Sequence, residues 1–279
     1  MRAIVTGAEG QLGRDLCRLL PEATALGRGE LSIDDLAAVQ RVGQELRPEI
    51  IFNCAAYNGV DKAEVEEETA RAVNHLGPAY LAQTAAQIGA RLIHFSTNYV
   101  FNGWAENSYS EEDLPSPTSV YARSKQAGEE AVLSTLPSAL VIRSSGLFGR
   151  HGSAIKGGSF PERILAKARS GARLQVVADQ RLNPTATADL AAGTLRLVDS
   201  GMSGVIHLVA AGCCSWWEFT CEILRLAGIE AEVGQVTTAE LNLPAARPLN
   251  GCLRSVRVEP LRPWQEGLAE LIDQLAVKK

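Results

Sequence analysis

The chain has 279 residues, 46% of them hydrophobic and 21% charged, with a formal net charge of −5. That is enough apolar surface for a full core, in one large domain or one domain with a smaller lobe. No basic run offers a footprint for a nucleic-acid polymer and no stretch approaches eighteen uninterrupted apolar residues, so neither nucleic acid nor a membrane is an expected partner.

Along the chain, short apolar runs alternate with longer helical patterns. Strands are expected at AIVT (3–6), ATAL (23–26), IIFN (50–53), RLIHFS (91–96) and ALVIR (139–143). Between them lie the helical stretches QLGRDLCRLL, IDDLAAVQRVGQEL, AEVEEETARAVNHLGPAYLAQTAAQIG and SVYARSKQAGEEAVLSTL. Near-continuous apolar strands separated by helices predict an α/β chain, a doubly wound parallel sheet with helices on both faces. After residue 145 the rhythm loosens. HGSAIKGGSF reads as a loop, followed by LQVV (174–177), a helix near 187–199, VIHLV (205–209), a helix near 215–227 and a last helix from Trp264. The expected division is 1–145 with about 172–205 in the main domain, and about 146–171 with 206–279 in a smaller lobe. The opening MRAIVTGAEG has only a few apolar residues before a glycine turn, unlike a secretory signal. The six cysteines include no C-x-x-C pair and the four histidines do not cluster near them. No metal site is expected, and the thiols are expected reduced, in a cytoplasmic protein, with Cys213 and Cys214 packed at a strand end.

Gly7, Gly10 and Gly13 fall directly after the first strand and open the first helix. Glycines there let the backbone approach a pyrophosphate, which the free N–H groups of the helix terminus attract. An NAD-type site places Asp or Glu at the end of the second strand. This chain has Gly27 and Arg28, and a guanidinium suits a 2′-phosphate. The third strand leads into the compact Cys54, Ala55 and Ala56, which leave room for a flat cofactor. The fourth brings Ser96 and Thr97 to a strand's carboxyl end, where open α/β sheets bind ligands. Tyr121 and Lys125 lie four apart and share a helix face.

A hydroxyl, a phenol and an ammonium converging beside a glycine turn are the constellation of the short-chain dehydrogenases. The chain resembles their extended branch, and within it the dTDP-4-dehydrorhamnose reductases. The resemblance is carried by TGAEGQLG, AAYNGVDKAE, STNYVFNG, SPTSVYARSKQAGEEAV, RSSGLFG, KGGSF, NPTATADLAAG, GVIHLVAAG-x-x-SWWEF and ARPLNGCL, over nearly the whole chain in one order. It implies a Rossmann-type domain, NADPH as cofactor with NADH as the alternative, and a nucleotide-sugar substrate. It further implies cofactor contacts from Gly7, Gly10, Gln11, Leu12, Gly13, Arg28, Asp34, Asp35, Cys54, Ala55, Ala56, Tyr57, Ser96, Tyr121 and Lys125. Tyr121 would donate the proton, with its pKa lowered by Lys125; Thr97 would orient the carbonyl. Substrate contacts would come from Thr97, Asn98, Gly146 and Arg247, with Trp216 or Trp217 nearby. Asn98 stands where most relatives carry aspartate, and Gly146 where some carry tryptophan. Relatives often form dimers, so a homodimer is the expectation that comes with the resemblance. Reduction or epimerisation of another nucleotide sugar, and a non-catalytic regulatory subunit such as the β subunit of methionine adenosyltransferase, are the competing functions.

Overall fold

The computed structural model describes residues 2–152 and 157–276. Part of the loop expected at HGSAIKGGSF, residues 153–156, lies outside them. Strands β1 (Ala3–Thr6), β2 (Thr24–Leu26), β3 (Ile50–Asn53), β4 (Arg91–Thr97) and β5 (Leu140–Ser144) form a parallel sheet with a sixth strand, Gly204–His207. From one edge the order is sixth, β5, β4, β3, β1, β2. The order reverses beside β1, and at the carboxyl ends there the doubly wound sheet opens its ligand crevice.

Both faces of this sheet are covered, which is why its strands read as continuous apolar runs. Val5, Phe52, Ile93 and Ile142 point to the face covered by helices α1 (Gln11–Leu19) and Thr187–Asp199, through Leu12, Leu16, Leu190 and Val198. Their neighbours Ile4, Ile51, Leu92 and Val141 point to the other face, against Val39, Leu81, Ala85 and Val132. A second core joins Phe148, Ile164, Leu174, Val176, Phe219, Ile223, Trp264 and Leu268 in the C-terminal part.

The boundary between the two parts is not where the apolar pattern put it. The strand Leu174–Val177 pairs with Val233–Val236 and buries Leu174 and Val176 in the second core. VIHLV, assigned mostly to the lobe, instead supplies the edge strand of the main sheet. An apolar run carries no signal of which sheet it will join. The long helical stretch 63–89 is also interrupted. Helices Glu67–Arg71 and Gly77–Ile88 are joined through a π-helical turn, Ala72–Leu76, a feature often found at functional sites.

Cys213 and Cys252 form a disulfide with Cα atoms 6.0 Å apart, which departs from the expectation of reduced thiols. Thirty-nine residues separate them, and Asn183 brings the two segments together. It donates to Gly212 O (2.8 Å) and accepts from Leu253 N (2.7 Å). Cys214 is a buried free thiol in the adjoining strand, as expected.

Candidate active site

The turn after β1 is built for close approach. Gly7 has φ +62, and a Cβ there would lie 2.6 Å from Ala55 N; at Gly13 a Cβ would meet Gly7 O at 2.3 Å. A side chain at either position would fill the space between turn, helix and the Cys54–Ala56 segment. Gly10 caps α1 without a side-chain hydrogen bond, so the helix terminus keeps donors for an anion. Gln11 Oε1 and Ser96 Oγ are buried without a partner among the described residues. A cradle with unpaired polar atoms at a helix N-terminus fits the pyrophosphate of a dinucleotide.

Around it, Leu12 is buried in the core and Cys54, Ala55 and Ala56 are half-buried. Arg28 is exposed. The end of β2 is nonetheless not without an acid, because Glu30 Oε2 accepts the Gly27 N–H at 2.9 Å. Glu30 lies three residues beyond Gly27, where an NAD-type site carries its acid. Asp34 accepts from Ser32 Oγ, and Asp35 caps helix α2 (Leu36–Leu46) through Ala38 N at 3.1 Å. Both carboxylates therefore have local structural duties.

Tyr121 and Lys125 stand on the helix Val120–Thr135, whose first turn is capped by Ser119. Tyr121 faces Thr97 and its ring meets Tyr99 edge-on at 5.6 Å. Lys125 Nζ donates to Phe95 O at 2.7 Å, beside the end of β4. The three residues of the expected constellation thus gather at one end of the sheet, all nearly buried. Burial pushes the Tyr121 phenol up, with the Thr97 hydrogen bond opposing. Lys125 is not among the groups that shift it, a departure from the expected lowering. Its ammonium is engaged with Phe95 O, so Tyr121 here holds its proton as a donor. Burial also drives Lys125 down to about 8, against the pull of Glu129.

Asn74, in the π-helical turn, had no sequence signal. It donates to Tyr57 O (3.0 Å) and to Ser124 Oγ (3.1 Å), and accepts from Tyr57 N (2.9 Å). It thereby ties the expected cofactor segment to the Tyr121 helix. Gly128 permits this, since a Cβ there would lie 2.1 Å from Asn74 O.

Three of the expected substrate positions have other work. Asn98 is buried and its Nδ2 donates to Gly251 O at 2.9 Å, while its Oδ1 faces Thr97 Oγ1 at 3.3 Å. An aspartate could not make the first of these bonds. We expect Asn98→Asp to loosen the Gly251 segment and raise substrate KM several-fold, since an unsatisfied buried carbonyl costs about 1–3 kcal/mol; an unchanged KM would show that the bond does not matter. Gly146 has φ +56 and lies against Leu182 and Pro184. Trp216 packs with Phe160 (4.5 Å) and Phe219 in the second core, and Trp217 Nε1 donates to Val233 O. Arg247 forms a two-pronged pair with Asp61 (2.9 and 2.7 Å) and also donates to Ala245 O. Asp61 belongs to the VDKAE stretch, so this pair joins the main domain to the ARPLNG segment.

A doubly wound sheet, a glycine cradle after β1 and a Thr–Tyr–Lys group at the end of β4 define an NAD(P)-dependent oxidoreductase of the short-chain dehydrogenase kind. Residues 1–277 match the family model of the RmlD substrate binding domain, and the chain belongs to that family. It is 39% identical over 285 residues to a dTDP-4-dehydrorhamnose reductase of Streptomyces griseus, covering 96% of this chain and 92% of that protein. It is 38% identical to a probable dTDP-4,6-dihydroxy-2-methyloxan-3-one 4-ketoreductase of Streptomyces antibioticus, covering 97% and 94%. The crystal structure of dTDP-4-dehydrorhamnose reductase from Bacillus anthracis in complex with NADP superposes with a TM-score of 0.93 at 34% identity, covering 98% of this chain and 99% of that one.

Proposed function

We propose that the chain reduces the 4-keto group of dTDP-4-dehydro-L-rhamnose to the alcohol of dTDP-L-rhamnose, with NADPH as reductant. The observation that carries this reading is the meeting of Thr97, at the carboxyl end of β4, with Tyr121, one helical turn from Lys125. The dihydronicotinamide supplies the hydride when the cofactor is bound. Thr97 and Tyr121 present two hydroxyls to the carbonyl oxygen, so that Tyr121 protonates it as negative charge develops. Lys125, one helical turn from Tyr121 and held by Phe95 O, places a cation at the same end of the sheet. Arg247 is committed to Asp61 and Ala245 O, so its part in binding the substrate is to tie the ARPLNG segment to the main domain.

The chemistry does not fix the sugar. Similar identity to reductases of different dTDP-linked ketones, together with an Asn98 and a Gly146 turned to internal contacts, favours a second reading with another dTDP-linked 4-keto sugar as substrate. Comparing kcat/KM across such sugars separates the two. If the nucleotide anchors the ligand, discrimination among sugars is expected to be within about tenfold, one contact's worth.

Lys125 must be cationic for this mechanism. Its charge is lost as pH rises through about 8, so kcat/KM is expected to fall on the alkaline side from there. A profile flat to the range of an ordinary lysine, about 10.4, would contradict the role. For the cofactor, Arg28→Ala is expected to weaken NADPH binding and leave NADH nearly unchanged, measured by fluorescence titration. Equal losses for both would show that Arg28 does not read the 2′-phosphate.

A further inference from the structure

One turn beyond Lys125 on the same helix lies Glu129, 3% exposed. Its carboxylate is gripped by Arg143 of β5. Arg143 Nε lies 3.0 and 3.1 Å from the two oxygens and Nη2 lies 2.6 Å from Oε2. Arg143 is itself 4% exposed. Its remaining nitrogen faces His207 Nε2 at 3.4 Å, and its Cζ lies 5.2 Å from the Phe101 ring centre. The His207 Nδ1 faces the carbonyls of Tyr109 and Arg254 (3.2 and 3.0 Å). We assign the proton to Nδ1, which leaves Nε2 to accept from Arg143.

A buried two-pronged pair is an expensive device if stability is its only purpose, because burying both charges offsets most of their attraction. Its position suggests a use. Lys125 is 2% exposed and spends one donor on Phe95 O. The titratable groups around it are Cys54 at the end of β3, His94 on β4, and Tyr121 and Glu129 on its own helix. Burial keeps Cys54 a neutral thiol and His94 a neutral imidazole, and Tyr121 holds its proton. On the outer side of the helix, Glu64 caps Val120 N, and Glu130 faces His75, which Arg71 also approaches. Among the described residues that face Lys125, Glu129 is therefore the anion.

We propose that Glu129, clamped by Arg143 and one helical turn from Lys125, is a positioning residue that supplies the counter-charge of Lys125. The inference rests on the reading of Lys125 as the cation of the site. Glu129 stands between two cations, so its effect on Lys125 depends on how much of its charge Arg143 takes. Removing Glu129 leaves Arg143 without its bonded partner and Lys125 without the buried carboxylate one turn away. Removing Arg143 leaves Glu129 to Lys125 alone. The two changes must move Lys125 in opposite directions, which loss of packing would not do.

The test is a direct titration of Lys125, one of six lysines in the chain, by NMR of ¹³Cε-lysine-labelled protein, assigned with Lys125→Arg. The wild-type midpoint is expected at about 8. In Glu129→Gln it should fall by about one unit or more, the usual effect of losing an adjacent opposite charge, and the alkaline limb of kcat/KM should fall with it. In Arg143→Met the midpoint should rise, and Glu129→Asp should restore most of the wild-type profile. If Glu129→Gln does not fold, the upward shift in Arg143→Met decides alone. Midpoints that coincide in the folded variants, or that move in the same direction, overturn the proposal. Lys125→Ala judges the underlying reading separately. If it retained turnover, Lys125 would not be the site's cation, whatever the titrations show.

Discussion

Replacing Tyr121 by phenylalanine is expected to leave the fold and NADPH binding intact and to lower kcat by about 10²–10⁴-fold, the usual contribution of a positioned general acid. The change removes one oxygen. The ring would stay where it is, edge-on to Tyr99 and among Ala63, Ala70 and Val120. What disappears is the hydroxyl facing Thr97 and the proton that burial keeps on it. Thr97 would remain hydrogen-bonded to its neighbours, accepting from Tyr99 N and facing Asn98 Oδ1, so one polar contact to the carbonyl would survive. Lys125 would remain on Phe95 O. Steady-state kinetics with the correct sugar, alongside fluorescence titration of NADPH, separates turnover from cofactor affinity. A phenylalanine variant with near wild-type kcat would remove Tyr121 from the reaction.

The second large effect is on stability. Gly146→Trp would install the residue that some relatives carry, and it should cost about 2–5 kcal/mol here. The φ of +56 alone costs an L-residue about 1–2 kcal/mol. A Cβ at this position would lie 2.4 Å from Leu182 Cδ1 and 3.2 Å from Asn183 O and Pro184 Cα. Two of the three are backbone atoms, and the neighbouring segment is held by Asn183 to Gly212 and Leu253. Overpacking such a place adds about 1–3 kcal/mol. Urea unfolding would report the loss as a lower midpoint at unchanged slope. A variant within about 0.5 kcal/mol of wild type, as for an ordinary surface substitution, would mean that the turn can rearrange to present a side chain.

Much of the main sheet can be read from the residues because both of its faces are buried. A strand covered on both sides must be apolar throughout, and β1, β3, β4 and β5 fall within a residue of their apolar runs. The glycine turn and the Tyr–Lys helix are legible for a related reason: backbone approach and a shared helix face are encoded by spacing within a few residues. What was missed depends on contacts far apart in the chain. Glu30 reaches back to Gly27, Asn98 is spoken for by Gly251, and Arg247 by Asp61. In each case the partner lies outside the local pattern that marks the residue. Glu129 and Asn74 looked like ordinary helix positions, because their partners lie on other elements. The pairing of Leu174–Val177 with Val233–Val236 was illegible on the same grounds.

The central claim is that the chain turns over a nucleotide-linked 4-keto sugar at the Thr97–Tyr121–Lys125 site. It is tested most directly by following NADPH oxidation with dTDP-4-dehydro-L-rhamnose and a panel of other dTDP-linked 4-keto sugars, with Tyr121→Phe run beside the wild type. The expected result is one NADPH consumed per sugar reduced, with the alcohol as product and the variant nearly silent at equal cofactor occupancy. NADPH bound by the wild type but oxidised with none of these sugars would contradict it, and would leave the chain a dinucleotide-binding protein without this reaction.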